Sequence, residues 1–447
     1  MNLLKDKIKP LYFKYLAAAF GSAMISSIYG IVDLAMVGKY QGAEGTAAIS
    51  IIAPFWNILY SLGLLVGIGG AVLFSSLRGE SADNTKKSNE YFTAAVLGGA
   101  VLAVLSWLGL IFFDKQLLTL FGANEALMPL ARAYLFPVKF AVPCFLFSQL
   151  LSAFLRNDGD PTLATKAVLF GGIFNVFGDY FFVFTLDMGI MGAGLATVIG
   201  SFFSCLIMLT HFKSKKNTLT LVKPQQPVKK LKEIGATGFS TFFIDVAMGI
   251  LTVFFNRQIL HYLDTNALAV YGIVTYVGTF AQCCAYSAGQ AAQPIISVNY
   301  GAGKGNRVRQ VLRYALGTIA VFGIFWCVLS MAAPNLYIHV LTTPTDELLK
   351  IAPTIIRRYG LSFLLLPLNI FSTYYFQALL KQGTSFIVSV SRGALISGIL
   401  IYLLPAAFGA DAIWFAMPIT ELVVAIYVAA KMKQYTKNLP TERKEVL

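Results

Sequence analysis

Runs of twenty or more apolar residues recur from near the start of the chain almost to its end. Each is long enough to cross the hydrocarbon core of a bilayer as a helix. Of 447 residues, 57% are apolar and only 13% charged, with a mean hydropathy of +0.69. A soluble domain carries about 25% charged residues, so most side chains here must have lipid or other helices as their solvent. A cytosolic enzyme, a secreted disulfide scaffold and a disordered chain are excluded. A porin-type barrel is excluded too, because its strands would alternate apolar and polar residues. The first apolar run is too long for a signal-peptide core and lacks a small-residue cleavage site, so no cleaved leader is expected.

Twelve spans are predicted: 11–38, 46–77, 89–113, 127–155, 162–186, 190–212, 234–262, 267–299, 310–333, 350–380, 385–406 and 411–431. Pro54, Pro143, Pro294 and Pro367 fall inside spans, where each removes a backbone hydrogen bond and predicts a break. An even count puts both termini on one side. With that side cytoplasmic, 27 of the 35 Lys and Arg residues lie in interior loops or tails, Arg392 and the tail residues Arg443 and Lys444 among them. The positive-inside rule then places both termini in the cytoplasm of a multi-pass protein of the cell (inner or plasma) membrane. The net charge of +14 is accordingly a topology signal, and no nucleic-acid partner is expected. The expected partners are the lipid bilayer and small molecules, with the chain a monomer.

Residues 213–233 (KSKKNTLTLVKPQQPVKKLKE) are the only long polar interruption and show no apolar face. They divide the chain into an N-lobe (1–212), a basic cytoplasmic linker (213–233) and a C-lobe (234–447). At an offset of 222, Ala47, Gly67, Ser75, Gly79 and Asn84 fall on Ala269, Gly289, Ser297, Gly301 and Asn306. At 224, Pro143, Phe147, Ser148 and Gly159 fall on Pro367, Phe371, Ser372 and Gly383. Six helices per half makes these parallel repeats. The fold class is an all-α polytopic membrane protein of twelve transmembrane helices, in two six-helix lobes related by a parallel pseudo-two-fold repeat. Transporters place sites between such halves and alternate access by rocking them.

Charge inside a span is the most informative feature. Asp33, Asp179, Asp245 and Glu421 all interrupt apolar stretches, and an ionised carboxylate there costs about 2.5–3.5 kcal/mol on insertion scales. Tyr29 precedes Asp33 by four residues, and Asn175 precedes Asp179 by four, so each pair shares a helix face. With Thr197 on the next, inward-running helix, five polar groups from three helices reach one level in the outer half of the N-lobe. Two carboxylates in one low-dielectric pocket cannot both ionise freely, which suits a proton or cation site. Asp245 and Glu421 stand alone in their stretches, with Arg257 a distant partner for Asp245. Polar and aromatic groups on helices 8 and 10 offer a second, C-lobe cation or substrate surface: Tyr271, Gln282, Tyr286, Asn369 and Gln377. Interhelical hydrogen bonding is the plainer role for each of them.

Other features carry no chemistry. Cys144, Cys205, Cys283, Cys284 and Cys327 lie in apolar stretches without disulfide or zinc spacing. His211, His261 and His339 are isolated at segment ends and form no metal constellation. GAGKGNR at 301–307 lacks phosphate-loop spacing, and GIGG at 67–70 and GAG at 192–194 read as close-packing surfaces. No nucleophile, base or metal-ligand set appears, so no enzyme and no cofactor are expected. The only metal in view is Na⁺ at Asp33 and Asp179.

Asp33-Leu-Ala-Met-Val-Gly38 followed by Ala47-Ala48 resembles the first-helix signature of multidrug and toxic compound extrusion (MATE) transporters. So does Leu155-Arg156-Asn157-Asp158-Gly159-Asp160-Pro161 with Asn175, Asp179-Tyr180, Phe184, Met191-Gly192-Ala193-Gly194 and Leu195-Ala196-Thr197. The resemblance spans the chain and is nearest the bacterial and archaeal branch with an acidic N-lobe site. By position it implies a cation-coupling network of Tyr29, Asp33, Asn175, Asp179 and Thr197. Asp245 falls where another branch carries a helix-7 Glu, but helix 10 holds no acid. The implied function is secondary active efflux of lipophilic organic cations in exchange for H⁺ or Na⁺. A flippase for a lipid-linked anionic precursor, or a membrane sensor or scaffold, are the alternatives.

Overall fold

The computed structural model describes residues 2–341 and 345–440; Arg443 and Lys444 lie outside them. The described residues form helices and connections without a strand. Twelve helices are long and apolar enough to cross a membrane. These are α1 (Ile8–Gly42), α2 (Glu44–Glu80), α3 (Thr85–Leu120), α4 (Met128–Asn157), α5 (Pro161–Thr185), α6 (Gly189–Lys213), α7 (Pro227–Tyr262), α8 (Thr265–Gly301), α9 (Gly305–Ala332), α10 (Asp346–Ala378), α11 (Gln382–Phe408) and α12 (Ala410–Lys437). Helix satisfies every backbone donor and acceptor within its own segment, which lipid does not do for it. A short helix, Pro334–Leu341, precedes α10.

α2, α4 and α8 continue through Pro54, Pro143 and Pro294, while α10 continues through Pro367 but is interrupted at Leu361. Non-helical backbone falls instead at Gly42 (φ 65°, ψ −150°), between α1 and α2, and at Phe113 in α3. Gly42 takes a conformation that a side chain would strain. Among the described residues two π-helical turns occur, Tyr180–Thr185 in α5 and Ser391–Leu395 in α11.

The chain forms two compact units, one of residues 1–6 and 17–242, the other of residues 7–16 and 243–447. In the first unit, glycines let backbones meet. A Cβ on Gly171 would sit 2.5 Å from the Gly200 carbonyl oxygen and 2.0 Å from Ser204 Oγ, so α5 and α6 touch there. Gly194 of α6 approaches the Tyr134 carbonyl of α4, and Gly192 the backbone of Phe182. Gly67 packs on Leu150 Cα, and Gly69 on the Ile234 carbonyl. Both glycine clusters are thus packing surfaces, as small residues at membrane helix interfaces tend to be.

The linker differs from its expected form. Residues 227–233 already belong to α7, and the extended part is pinned to the first unit. Arg78 Nη2 donates to the Thr218 carbonyl (3.0 Å), Asn89 Nδ2 to Thr220 Oγ1 (2.9 Å) and the Gln225 amide to Glu90 Oε2 (2.9 Å). Lys230 pairs with Glu90 at 3.3 Å, and Leu219 is buried. His211 is not isolated either. It is fully buried, with Nε2 2.8 Å from Asp158 and Nδ1 3.5 Å from Asp160, while Asp158 also accepts from the Thr218 amide at 2.9 Å. Polar segments hide such contacts from sequence because their partners lie many tens of residues away.

In the second unit, Gly289 lies against the Tyr374 ring, Gly323 against the Leu364 carbonyl and Gly393 against Ala247. Gly171→Val is expected to destabilise the protein by about 1–3 kcal/mol through overpacking. The check is a lower thermal midpoint of the purified chain, with Gly317→Ala, whose added Cβ meets nothing within 4 Å, as the unaffected control.

Candidate functional site

The Gly171–Gly200 contact sets the geometry of two of the groups around Asp33. One turn along α5 from Gly171 is Asn175, and one turn back along α6 from Gly200 is Thr197. With the backbones in touch, Asn175 Nδ2 donates to Thr197 Oγ1 at 3.1 Å. The same amide group donates to Asp33 Oδ1 at 3.4 Å. Thr197 Oγ1 lies 3.2 Å from Asp33 Oδ2 and 3.1 Å from the Ala193 carbonyl, two acceptors for its one proton. Tyr134 of α4 donates to Asp33 Oδ2 at 3.2 Å. Asp33 thus collects donors from three helices, and such donors stabilise an ionised carboxylate.

Asp179 is placed oppositely. It is 0% exposed and within hydrogen-bond reach of Asp33. No donor reaches either of its oxygens, nor Asn175 Oδ1. Among the described residues, no Lys, Arg or His forms an ion pair with Asp33 or Asp179. A buried ion costs several kcal/mol without compensation. Acceptors alone, gathered beside a second carboxylate, call for a cation: a proton, or a metal ion held by the oxygens.

The surroundings differ along the helix axes. One turn beyond Asp33 and Asp179, and one turn before Thr197, stand Val37, Val183 and Ala193. They belong to one buried apolar cluster with Ile52, Ile190 and Tyr134. In the other direction lies a small cavity lined by Tyr29, Ser26, Ser148, Ser201 and Ser204 as well as Asn175 and Thr197. The acids therefore sit between an apolar plug and a hydroxyl-lined cavity. The π turn Tyr180–Thr185 starts directly after Asp179, and π bulges are frequent at functional sites.

All five residues named from the sequence are in this region. Asp33, Asn175 and Thr197 are bonded together, Asp179 faces Asp33, and Tyr29 lines the cavity a turn below. Tyr134 was missed. Its segment reads as an ordinary span opening, and only the approach of Gly194 to its carbonyl brings it to Thr197.

The second-unit candidates separate into groups. Tyr286 Oη lies 3.0 Å from Asp245 Oδ1 and 3.4 Å from Gln282 Oε1. Gln282 Nε2 is 3.3 Å from Met248 Sδ, and the Tyr286 and Tyr374 rings meet edge-on at 6.4 Å. Asp245 therefore has Tyr286 as a partner. Tyr271 stacks on Phe255 at 4.7 Å, about four turns from Tyr286 along α8. Gln377 is buried about two turns beyond Asn369. Glu421 does not stand alone: it binds Asn369 Nδ2 at 2.6 Å and Arg392 Nε at 2.7 Å. Arg392, counted from sequence among the interior loop charges, is buried inside α11. The spacing of charge along the sequence did not show that a π turn carries it inward. Among the described residues, no group of three or more His, Cys, Asp or Glu is arranged to hold a metal.

A family model described as MatE matches the chain twice, over residues 18–181 and 241–403. The multidrug export protein MepA of Staphylococcus aureus is 25% identical over 405 residues, which cover 90% of this chain and 88% of that protein. MepA of Staphylococcus saprophyticus is 25% identical over 435 residues, covering 95% and 93%. An outward-facing multidrug resistance MATE family transporter of the MOP superfamily superposes with a TM-score of 0.89 over 98% of both chains; at 18% identity it speaks for the fold alone. The MATE multidrug transporter DinF-BH gives 0.87 at 25% identity, over 97% of this chain and 98% of that one.

The unequal partners of the two acids have opposite consequences on substitution. Asp179→Asn supplies an amide donor where a carboxylate has none, and is expected to raise the thermal midpoint at neutral pH. Asp33→Asn takes the charge from a carboxylate that three donors address, and is expected to cost about 1–3 kcal/mol. Thermal unfolding of both purified variants checks the sign of each.

Proposed function

The chain belongs to the MatE family, transporters rather than enzymes, and from that premise we propose that it is a secondary active multidrug efflux antiporter. It exports lipophilic organic cations in exchange for H⁺ or Na⁺. The observation that carries the reading is Asp179, fully buried beside Asp33 with no donor on either oxygen and no basic partner. A structural carboxylate would be compensated by the fold, whereas an exchange site must leave that task to the ion.

Coupling requires cation and drug to favour different states of the same protein. With both acids charged, their repulsion holds α1 and α5 apart; a bound cation removes it and lets them close. With the termini cytoplasmic, the hydroxyl-lined cavity lies on the cytoplasmic side of Asp33 and the Val37–Val183–Ala193 plug on the external side. An ion arriving from outside must then pass the plug, which makes that cluster a moving part of the cycle. For the drug, Asp245 with Tyr286, Tyr374 and Met248 supplies a carboxylate, aromatic rings and a soft sulfur. That chemistry suits a lipophilic cation. A flippase for an anionic lipid would favour an Arg-lined cavity, whereas acids outnumber Lys139 and Arg257 in the span interiors and Lys139 is paired with Asp114.

Asp33→Asn is expected to abolish resistance and fluorescent-cation efflux in cells at unchanged expression, and Asp245→Asn to reduce them less. Full efflux by Asp33→Asn would sink the assignment. Efflux measured over a range of external pH without Na⁺ separates the coupling ions. Proton coupling leaves transport intact, weakening as the medium becomes alkaline, and sodium coupling leaves none.

A further inference from the structure

The second unit also buries an acid, and it is treated in another way. Glu421 is 0% exposed and Arg392 4% exposed. Arg392 Nε donates to Glu421 Oε1 at 2.7 Å, and Asn369 Nδ2 donates to Oε2 at 2.6 Å and to the Glu421 carbonyl at 2.9 Å. Each carboxylate oxygen has its own donor, one of them a guanidinium that cannot be deprotonated in a protein. The π turn Ser391–Leu395 carries Arg392 inward. Nearby titratable groups are Tyr359 of α10, facing both partners, and Tyr286 of α8, which faces Arg392 and donates to Asp245 of α7.

We infer that Arg392 is a tethered counter-cation: it fills the buried site around Glu421, so that Glu421 exchanges no ion. The inference rests on the reading of the first-unit acids as the coupling site. It extends that reading by assigning Arg392 as the residue that decides where the chain does not bind a cation. Breaking such a pair by removing the base leaves an uncompensated buried carboxylate. The least costly remedy for that carboxylate is to take up a proton from solution.

The test reads carboxyl protonation by infrared difference spectroscopy of the full chain in lipid over a pH series. It needs no transport. Wild type and the charge-balanced double variant Arg392→Gln/Glu421→Gln are expected to show the same set of titrating carboxyls. Arg392→Gln alone is expected to gain one protonated carboxyl absent from wild type, and the double variant to lose it again. A role limited to packing would change the thermal midpoint without adding a titration. The inference is overturned if wild type shows a titrating carboxyl that the double variant lacks. It is equally overturned if folded Arg392→Gln gains none. Should Arg392→Gln fail to fold, the comparison of wild type with the double variant decides by itself. Retained efflux in Asp33→Asn would overturn the functional reading and leave these spectra unaffected.

Discussion

A carboxylate surrounded by hydrocarbon and helices has to be neutralised, and the protein does this in two ways. In the second unit the counter-charge is part of the chain: Arg392 and Asn369 between them satisfy both oxygens of Glu421. In the first unit Asp33 gathers donors from Tyr134, Thr197 and Asn175, while Asp179 is left with none. The cost of an uncompensated buried ion, several kcal/mol, is therefore concentrated on one side chain. That imbalance sets the acids of the first unit apart from the satisfied network around Glu421.

The donors gather around Asp33 because backbones meet. Gly171 and Gly200 bring α5 against α6, and Gly194 brings α6 against α4. In lipid there is no hydrophobic drive between helices, so close contact and interhelical hydrogen bonds must hold them. The same contacts that stabilise the first unit thus position Asn175, Thr197 and Tyr134 around Asp33. The π turns add a second device, since each lies beside a buried charge, Asp179 in α5 and Arg392 in α11.

Outside the spans, the polar segments are more ordered than their composition implies. His211 Nε2 bonds Asp158 of the turn before α5, with Asp160 near its other nitrogen, and Asp158 in turn holds Thr218 of the linker. Sequence reading separated these residues because each looks like an ordinary solvated loop residue. Their mutual satisfaction depends on three segments converging, which no local pattern encodes. Arg392 misled for the opposite reason. Its local pattern, a lone base about ten residues past a turn, fits an interfacial charge, and only the π turn and Glu421 make it internal.

Apolar run length, intramembrane acids and the period of four between Tyr29 and Asp33 and between Asn175 and Asp179 are local properties. The sequence alone therefore settled the twelve helices and the faces that carry the acids. Tertiary structure decided which groups compensate which. Whether a carboxylate finds a guanidinium, three neutral donors or none depends on how closely helices approach and how a π turn rotates a side chain. Those are distances between segments remote in sequence, and glycine backbone contacts and packing set them.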